Sequence, residues 1–367
     1  MRIGVPLETE AFERRVALGP EVAGRLAKAG HAVCVERGAG LAAGFVDAQY
    51  EAAGARIAPD PAEVLGGAEL VLKVRCPTQA EVERFAEGAV LVSFLGPAAN
   101  AGILRALVDR KVTALGMELV PRISRAQAMD ALSSQWNLAG YKAVIIGTEA
   151  LNRVLPMMTT AAGTLPPAKV FVLGAGVAGL QAIATARRLG AIVSAFDVRP
   201  AAKEQVHSLG ASFLDARVAA EGAGGYAKEL PEEEGRRVLE TVGKHIANQD
   251  MVIATAQVPG RPAPRLVTGQ MVRSMKRGSV IVDLAAEAGG NCELTKPGEV
   301  VEVEGVVVLG PVNVPSTLAF HASQTYSRNL MALLEHILDA EGRLKLDLSD
   351  PIMGAMVVTH AGQVRGI

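Results

Sequence analysis

The chain has 367 residues, and its 37 Lys and Arg nearly balance its 38 Asp and Glu, which gives a formal net charge of −1. This balance argues against nucleic acid or an anionic membrane surface as the main partner, because both attract a clear basic excess. Half of the residues are hydrophobic but only 4% are aromatic, and 39 glycines complete a composition typical of a tightly packed α/β protein. The length allows two or three domains of about 150 residues each.

Short apolar segments alternate with amphipathic helical patterns from the first residue to about residue 120. Strands that are apolar on both faces and separated by helices indicate a parallel sheet covered on both sides. Asn100 is a candidate helix cap, and Gly30 is a candidate helix stop. The predicted strands are Ile3–Val5, Ala32–Val35, Leu70–Val74, Val90–Phe94 and Val112–Gly116, and the predicted helices include 20–29 and 100–109.

A long helix is predicted from Ser124, as its N-cap, to about Arg153, and a loop rich in small residues follows from Thr159 to Pro167. A second α/β series then begins at Lys169. Its predicted strands are 170–173, 192–196, 251–254, 279–282 and 306–309, and its predicted helices are 177–189, 203–209, 232–247 and 268–276. A last helix is predicted from about Ser316 to Leu338, followed by a short irregular tail.

The predicted fold class is α/β, with two Rossmann-like domains that have parallel sheets and are joined by long helices across an interdomain cleft. We expect residues 1–132 and 316–367 to form the first domain, closed by the C-terminal helix, and 133–315 to form the nucleotide-binding domain. Three scattered cysteines and six scattered histidines match neither a disulfide framework nor a metal site. We therefore expect no metal, and a cytoplasmic protein without a membrane-spanning segment.

A glycine-rich turn follows the first strand of the second series and opens a helix. Gly174, Gly176 and Gly179 have the G-x-G-x-x-G spacing of a dinucleotide-binding turn. The first glycine would allow the tight turn, the second would let the backbone approach a pyrophosphate, and the third would let helix and strand pack closely. The pyrophosphate would lie at the helix N-terminus, beside Val177 and Ala178, where N–H groups favour negative charge.

An acidic residue completes this pattern, because Asp197 lies 18 residues after the third glycine, at the end of the second strand. Its carboxylate can accept both ribose hydroxyls of NAD, whereas it would repel the phosphate of NADP by about 4 kcal/mol at about 4 Å. Val198 and Arg199 follow directly. Arg199 could soften this preference for NAD, or it could be a solvated loop charge.

Two further segments are candidates for the cofactor site. Thr255, Ala256 and Gln257 follow a strand at the edge where such sheets bind ligands, or form an ordinary strand-to-loop transition. Gln127, Asp130 and Ser133 recur every three residues and would spread over about 120° of one helix face. With Arg122 just before them, they could hold a nicotinamide and its ribose, or they could be a solvated helix start.

A glycine-rich stretch from residue 221 to 230 ends in one aromatic residue and an acidic helix start. A mobile loop with an aromatic tip can act as a lid over a bound ligand. Gly225 and Tyr226 are its candidate residues. An idle surface loop remains an equal alternative.

Several strings in the sequence resemble the NAD(H)-binding component, the first part of the α subunit, of proton-translocating nicotinamide nucleotide transhydrogenases. They are RRVALGP, VPRISRAQAMDALSSQWNLAGYKAV, GAGVAGLQAIATARRLGA, FDVRPAAKEQVHSLGA, GGYAKEL, TAQVPGRPAP and VDLAAEAGGNCE. The resemblance runs along most of the chain. It implies that Arg122, Gln127, Asp130 and Ser133 lie near the nicotinamide, that Tyr226 is at the tip of a mobile loop, and that Asp197 binds the adenosine ribose.

The resemblance also implies partners. The component is usually a homodimer that holds NAD(H) and passes hydride to NADP(H) on a β subunit, and a small α subunit lies in the membrane. Its location would be cytoplasmic and peripheral, on the inner face of the cell membrane through these partner subunits. Neither nucleic acid nor direct membrane insertion is expected.

Alanine dehydrogenase resembles the chain as well and is the alternative function. The resemblance implies that this enzyme grips its substrate with an Arg and a Lys, equivalent to Arg15 and Lys73, and uses a His and an Asp for proton and substrate chemistry. Those last two positions correspond to Gly96 and Glu287. Because amine oxidation needs proton transfers and hydride transfer between two nicotinamides does not, the missing histidine favours transhydrogenation.

Two assignments stay open on the sequence alone. Arg15 and Lys73 have no clear task in a transhydrogenase, and we expect a structural ion-pair role for them. An NAD-sensing regulatory subunit is a third possible function. The set of Arg122, Gln127, Asp130 and Ser133 speaks against it, because a sensor has no need to grip the reactive ring.

Overall fold

The computed structural model describes residues 1–218, 231–257 and 261–365. The first 116 residues form six strands and five helices, with β1 and β2 joined by α1 as the sequence predicts. The strands are β1 (Arg2–Val5), β2 (Ala32–Glu36), β3 (Arg56–Ala58), β4 (Leu70–Leu72), β5 (Val90–Ser93) and β6 (Thr113–Gly116), and the helices are α1 (Pro20–Lys28), α2 (Asp47–Ala52), α3 (Pro61–Gly66), α4 (Gln79–Val82) and α5 (Ala101–Asp109).

A 20-residue helix follows, and then the second α/β series. The helices are α6 (Ala131–Ala150), α7 (Val177–Arg188), α8 (Pro200–Ser208), α9 (Glu232–Ile246) and α10 (Gly269–Ser274). The strands are β7 (Met158–Thr160), β8 (Gly163–Leu165), β9 (Lys169–Leu173), β10 (Ile192–Phe196), β11 (Ser212–Phe213), β12 (Met251–Ala254), β13 (Val280–Asp283), β14 (Val300–Val303) and β15 (Val306–Leu309). The chain ends with α11 (Ala319–Ile337), α12 (Pro351–Met356), β16 (Val357–His360) and β17 (Gln363–Val364).

Two compact units result, one from Met1–Gln135 with Pro315–Ile367 and one from Trp136–Val314. The sheet of the first has the order β17-β16-β6-β5-β4-β1-β2-β3, and that of the second has β11-β10-β9-β12-β13-β15-β14. Strands β1 to β6 pair in parallel, as do β9 to β13 and β15. The predicted α/β class is confirmed, with parallel-dominated sheets in both units.

Antiparallel strands at the sheet edges differ from the purely parallel prediction. In the first unit β16 pairs antiparallel with β6, and in the second β14 pairs antiparallel with β15. The predicted irregular tail is therefore wrong, because α12, β16 and β17 form there. The predicted loop from Thr159 to Pro167 is also wrong in part, since β7 and β8 form an exposed hairpin.

The two helix ends predicted in the first unit have different outcomes. Gly30 has a φ of +88° and ends α1, as predicted, because glycine adopts this conformation without a steric cost. The candidate cap Asn100 does not cap α5 with its side chain. Its amide instead donates hydrogen bonds to the carbonyl oxygens of Leu95 and Gly96, at 2.7 and 3.3 Å.

Candidate functional site

The glycine turn after β9 has the geometry that its spacing predicts. Gly174 has a φ of +92°, and a Cβ there would lie 3.0 Å from the backbone nitrogen of Ala256. A Cβ on Gly179 would lie 1.8 Å from the carbonyl oxygen of Gly174, so helix α7 packs directly on the turn. A Cβ on Gly176 would meet no atom of the described residues within 4 Å. Gly174 and Gly179 therefore allow the close contacts within the turn, and Gly176 leaves its open side clear.

The open side of this turn suits an anion. Gly176 takes the N-cap position of α7 without a side-chain cap, and Val177, Ala178 and Gly179 form the first turn of the helix. The first N–H groups of a helix have no carbonyl partners within it, and the helix dipole adds positive potential there. The turn therefore has the space and the polarity for the pyrophosphate of a dinucleotide.

The Asp197 carboxylate lies beside this turn. One oxygen accepts a hydrogen bond from the backbone N–H of Ala175 at 2.8 Å. Arg199 donates to the same carboxylate from its backbone nitrogen and from Nε, both at 2.9 Å, and from Nη2 at 2.8 Å. The side chains of Asp197 and Arg199 are 6% and 19% exposed. The structure therefore excludes the alternative that Arg199 is a solvated loop charge.

This ion pair changes the electrostatics that the sequence predicts for the ribose site. The four donors use the acceptor capacity of the Asp197 carboxylate, which has about four lone-pair sites. A ribose could bind there only after Arg199 moves its side chain. Val198, between them, is partly buried against the core of the second unit.

The segment after β12 is tied to the glycine turn. The Thr255 hydroxyl donates to the carbonyl oxygen of Gly174 at 2.9 Å. The Asn291 side chain brackets Ala256, accepting from its N–H at 3.0 Å and donating to its carbonyl at 2.8 Å. Gln257 follows, half-buried. Asn291 is fully buried and 35 residues away, and the sequence does not indicate it because no local spacing predicts such a contact.

The segment that bears the proposed nicotinamide residues is not the start of a long helix. Ser124–Met129 forms a 3-10 helix, and the α-helix begins only at Ala131. Ser124 is therefore not the N-cap. The cap is Asp130, whose carboxylate accepts hydrogen bonds from the backbone N–H and the hydroxyl of Ser133, at 2.9 and 2.6 Å. Aspartate is a strong N-cap because its oxygen satisfies an otherwise unpaired helix N–H.

The prediction that Gln127, Asp130 and Ser133 share one face of a helix is therefore wrong. Asp130 and Ser133 contact each other and are half-buried, whereas Gln127 lies on the 3-10 helix with an exposed side chain. Arg122 is also exposed. The structure places all four residues within one short stretch of the first unit, but not on one α-helical face.

Arg15 and Lys73 are held by buried carboxylates. Arg15 donates to both oxygens of Glu13, at 2.8 and 2.6 Å, and to the Gln135 side chain at 2.9 Å. The Lys73 ammonium lies 2.7 Å from Glu81 and 3.2 Å from Glu8 and is 1% exposed. Burial acts to lower the pKa of Lys73, but the two carboxylates outweigh it and raise this pKa. Both cations therefore have the ion-pair geometry expected for a structural role.

The positions that correspond to the proton-transfer residues of alanine dehydrogenase have other contacts. Gly96 has a φ of +53°, a conformation that side chains disfavour, and its N–H donates to Glu118 at 2.5 Å. Burial raises the pKa of Glu118. The Glu287 carboxylate accepts from the backbone N–H of Asn313 at 3.0 Å. Gly225 and Tyr226, the candidate lid residues, lie outside the described residues.

Comparisons with known proteins agree with this geometry. Residues 4–139 match the family model "Alanine dehydrogenase/PNT, N-terminal domain", and residues 143–366 match "Alanine dehydrogenase/PNT, C-terminal domain". The chain is 50% identical to the first part of the NAD(P) transhydrogenase alpha subunit of Rhodospirillum rubrum, over 99% of this chain and 97% of that protein. These matches confirm the resemblance noted in the sequence.

Solved structures give the same result. The fold matches a crystal structure of transhydrogenase from Sinorhizobium meliloti with a TM-score of 0.90 and 48% identity, over 100% of both chains. It also matches an L-alanine dehydrogenase with a TM-score of 0.82 and 28% identity, over 99% of this chain and 96% of that one.

Proposed function

Because the chain belongs to the alanine dehydrogenase/PNT family, we propose that it is the NAD(H)-binding component of a proton-translocating NAD(P) transhydrogenase. It exchanges hydride with NADP(H) on a partner subunit and has little or no turnover alone. The observation that carries this choice is the pairing of Arg15 and Lys73 with buried carboxylates. These ion pairs give both cations a structural role, and glycine at position 96 provides no general acid or base for amine oxidation.

NAD(H) is the cofactor that the second unit fits. Gly174, Gly176 and Gly179 leave space for its pyrophosphate at the start of α7. Asp197 would accept the ribose hydroxyls once Arg199 has moved aside, and Thr255, Ala256 and Gln257 border the same turn. When bound, NAD(H) supplies or accepts the hydride at its nicotinamide ring.

The residues of the first unit would act by positioning. The Gln127 amide has both a donor and an acceptor for the nicotinamide carboxamide, and its side chain is exposed. Arg122, Asp130 and Ser133 would orient the ring and its ribose. Hydride transfer between two nicotinamides needs rings that are close, aligned and dry, and it needs no general acid or base.

The partners belong to the same proposal. A homodimer of this chain would bind an NADP(H)-binding β subunit and a small membrane α subunit, which couples hydride transfer to proton translocation. Gly225 and Tyr226 would close over the bound nucleotide as the β subunit docks. None of the helices in the described part of the chain is long and apolar enough to cross a bilayer. Peripheral attachment at the inner face of the cell membrane would then depend on the partners.

A soluble alanine dehydrogenase is the alternative, since it shares the fold and the Arg15 and Lys73 positions. The purified chain separates the two functions. We expect no NADH formation from L-alanine and NAD, and a saturable change in the fluorescence of Trp136, the single tryptophan, on titration with NADH. Steady NADH formation from L-alanine would refute the transhydrogenase assignment.

A further inference from the structure

The short 3-10 helix Ser124–Met129 carries Gln127, and Arg125 within it forms an ion pair with Asp350, the N-cap of α12, at 2.8 Å. Within it only Ala126 and Met129 are buried. The last carbonyl groups of a helix have no N–H partners within it and need partners from elsewhere. Here the N–H of Asp130 bonds weakly to the carbonyl oxygen of Gln127, at 3.3 Å. The neighbouring carbonyl, that of Ala128, needs a donor from another element.

Asn329 on α11 supplies that donor. Its Nδ2 donates to the carbonyl oxygen of Ala128 at 2.8 Å, and its Oδ1 accepts from the hydroxyl of Ser134 at 2.7 Å. Asn329 is 8% exposed. The amide orientation follows from chemistry, because a carbonyl oxygen can only accept and must therefore face the Asn329 nitrogen. One side chain thus ties the 3-10 helix to the first turn of α6.

Gln135, in the first turn of α6, makes further contacts that hold this turn against α11. The Gln135 side chain donates to the carbonyl oxygen of Ala322 at 3.1 Å and to the hydroxyl of Thr325 at 3.2 Å, both on α11. It also accepts from the buried Arg15. The Asn329 amide bridges two groups in this network and has little freedom to move, so it fixes the Ala128 carbonyl relative to α11.

We propose that Asn329 is a positioning residue for hydride transfer. It holds the carbonyl of Ala128, the residue after Gln127, and thereby fixes the direction in which Gln127 meets the nicotinamide. Asn329 does not touch the cofactor itself in this proposal. The inference rests on the proposed function and adds to it a residue about 200 positions away in the chain that the sequence analysis did not identify.

Two substitutions of Asn329 test this role. Asn329→Ala removes the donor, and Asn329→Asp keeps the shape and the acceptor for Ser134 but presents an oxygen to Ala128. We expect single-turnover hydride transfer from NADH, with the NADP(H)-binding partner present, to slow by about ten- to a hundredfold in both variants, since small misplacements cost that much. The dissociation constant for NADH should stay close to that of the wild type.

Thr359→Val is the matched control for lost stability. The buried Thr359 hydroxyl, on β16 of the same unit, donates to the carbonyl oxygen of Val112 at 2.8 Å. Its loss leaves the Val112 carbonyl without that donor and the Ala114 N–H without its acceptor, and neither of these hydrogen bonds involves the 3-10 helix. We expect this variant to lower the melting temperature as Asn329→Ala does and to transfer hydride at the wild-type rate.

A double-mutant cycle with Gln127→Ala distinguishes a positioning role of Asn329 from a merely structural one. If Asn329 acts through Gln127, the rate loss from Asn329→Ala should largely disappear in the Gln127→Ala background. Additive losses, or wild-type rates in both Asn329 variants, would overturn the inference alone. A wild-type chain that transfers no hydride to the NADP(H)-binding partner would instead refute the proposed function, and the inference with it.

Discussion

Gly140 on α6 lies against the carbonyl oxygen of Ala178, in the first turn of α7. A Cβ on Gly140 would be 2.1 Å from that oxygen and 2.8 Å from the carbonyl carbon. Real Cβ atoms do not approach a backbone oxygen so closely, so the two helices can meet in this way only where one of them has glycine. The contact fixes the first turn of α7, where the pyrophosphate of NAD(H) is proposed to bind.

Gly140→Ala should therefore lower the free energy of unfolding by about 1–3 kcal/mol, the usual cost of overpacking, and weaken NADH binding. Gly235→Ala is the control, because a Cβ on Gly235, which lies in α9, would meet no atom within 4 Å in the part of the chain that the structure describes. Alanine there should stabilise the helix by about 0.5–1 kcal/mol. Urea denaturation of both variants measures the difference. Equal stabilities would show that the α6–α7 contact is not as tight as described.

Gly176 and Gly179 should respond differently to alanine. At Gly176 a Cβ meets no described atom within 4 Å, so Gly176→Ala should keep the wild-type melting temperature. It should weaken NADH binding by occupying the space of the pyrophosphate. At Gly179 a Cβ would collide with the Gly174 carbonyl oxygen at 1.8 Å. Gly179→Ala should therefore have both a lower melting temperature and weaker NADH binding. Thermal melts and NADH titrations distinguish them. Unchanged NADH affinity in Gly176→Ala would place the pyrophosphate elsewhere.

The Arg199 side chain should weaken discrimination against NADP. Its guanidinium neutralises Asp197 and can meet a 2′-phosphate, whereas Asp197 alone repels one by about 4 kcal/mol at about 4 Å. Arg199→Gln should raise the ratio of the NADPH to the NADH dissociation constant by about tenfold or more. Arg188→Gln, an exposed charge at the end of α7, is the control for overall charge. A lower ratio in Arg199→Gln would mean that the Arg199 side chain favours the binding of NADH over NADPH.

Lys73 should be essential for stability because two buried carboxylates depend on it. Lys73→Met leaves Glu8 and Glu81 without their cation and should cost about 3–5 kcal/mol in the free energy of unfolding. Lys111→Met breaks an exposed pair with Glu87 and should leave the stability close to that of the wild type, because solvent screens exposed ion pairs. Urea denaturation of the two variants beside the wild type measures both losses.

The loss in Lys73→Met should also depend on pH. Burial raises the pKa of Glu8, so this carboxyl takes up a proton more readily in the folded than in the unfolded chain. Lowering the pH then favours the folded variant, and its stability loss should be smaller at about pH 5 than at about pH 8. A loss that is equal at both pH values would show that Glu8 stays ionised without Lys73.

The parts of the fold and site that follow from short spacing were predictable. The glycine turn depends on residues within one strand–turn–helix unit, from β9 to α7, and it has the geometry that its spacing predicts. Asp197, directly after β10, lies beside this turn as expected, and its role in binding a ribose stays a prediction. The start of α6 was misplaced because Ser124 and Asp130 are both good caps, and only the hydrogen bond to Ser133 decides between them. The tail was missed because β16 pairs with β6, which lies far away in the sequence.

Most of the site contacts that the sequence does not predict join residues that are far apart in the chain. Asn291 brackets Ala256, and Asn329 holds Ala128, but neither residue stands in a motif. The ion pair of Arg199 with Asp197 spans only two residues, yet the sequence allowed a solvated arginine equally well. Side-chain direction and burial decide such cases, and a spacing pattern contains neither.

The most direct test of the proposed function follows the hydride itself. The wild-type chain is mixed with the NADP(H)-binding partner subunit, NADP and NADH that carries deuterium at the transferable position of its nicotinamide ring. Mass spectrometry of the product should show deuterium in NADPH, with none released to water, because the two rings exchange hydride directly. NADPH that forms without the label, or NADH that is oxidised only when pyruvate and ammonium are supplied, would contradict the account.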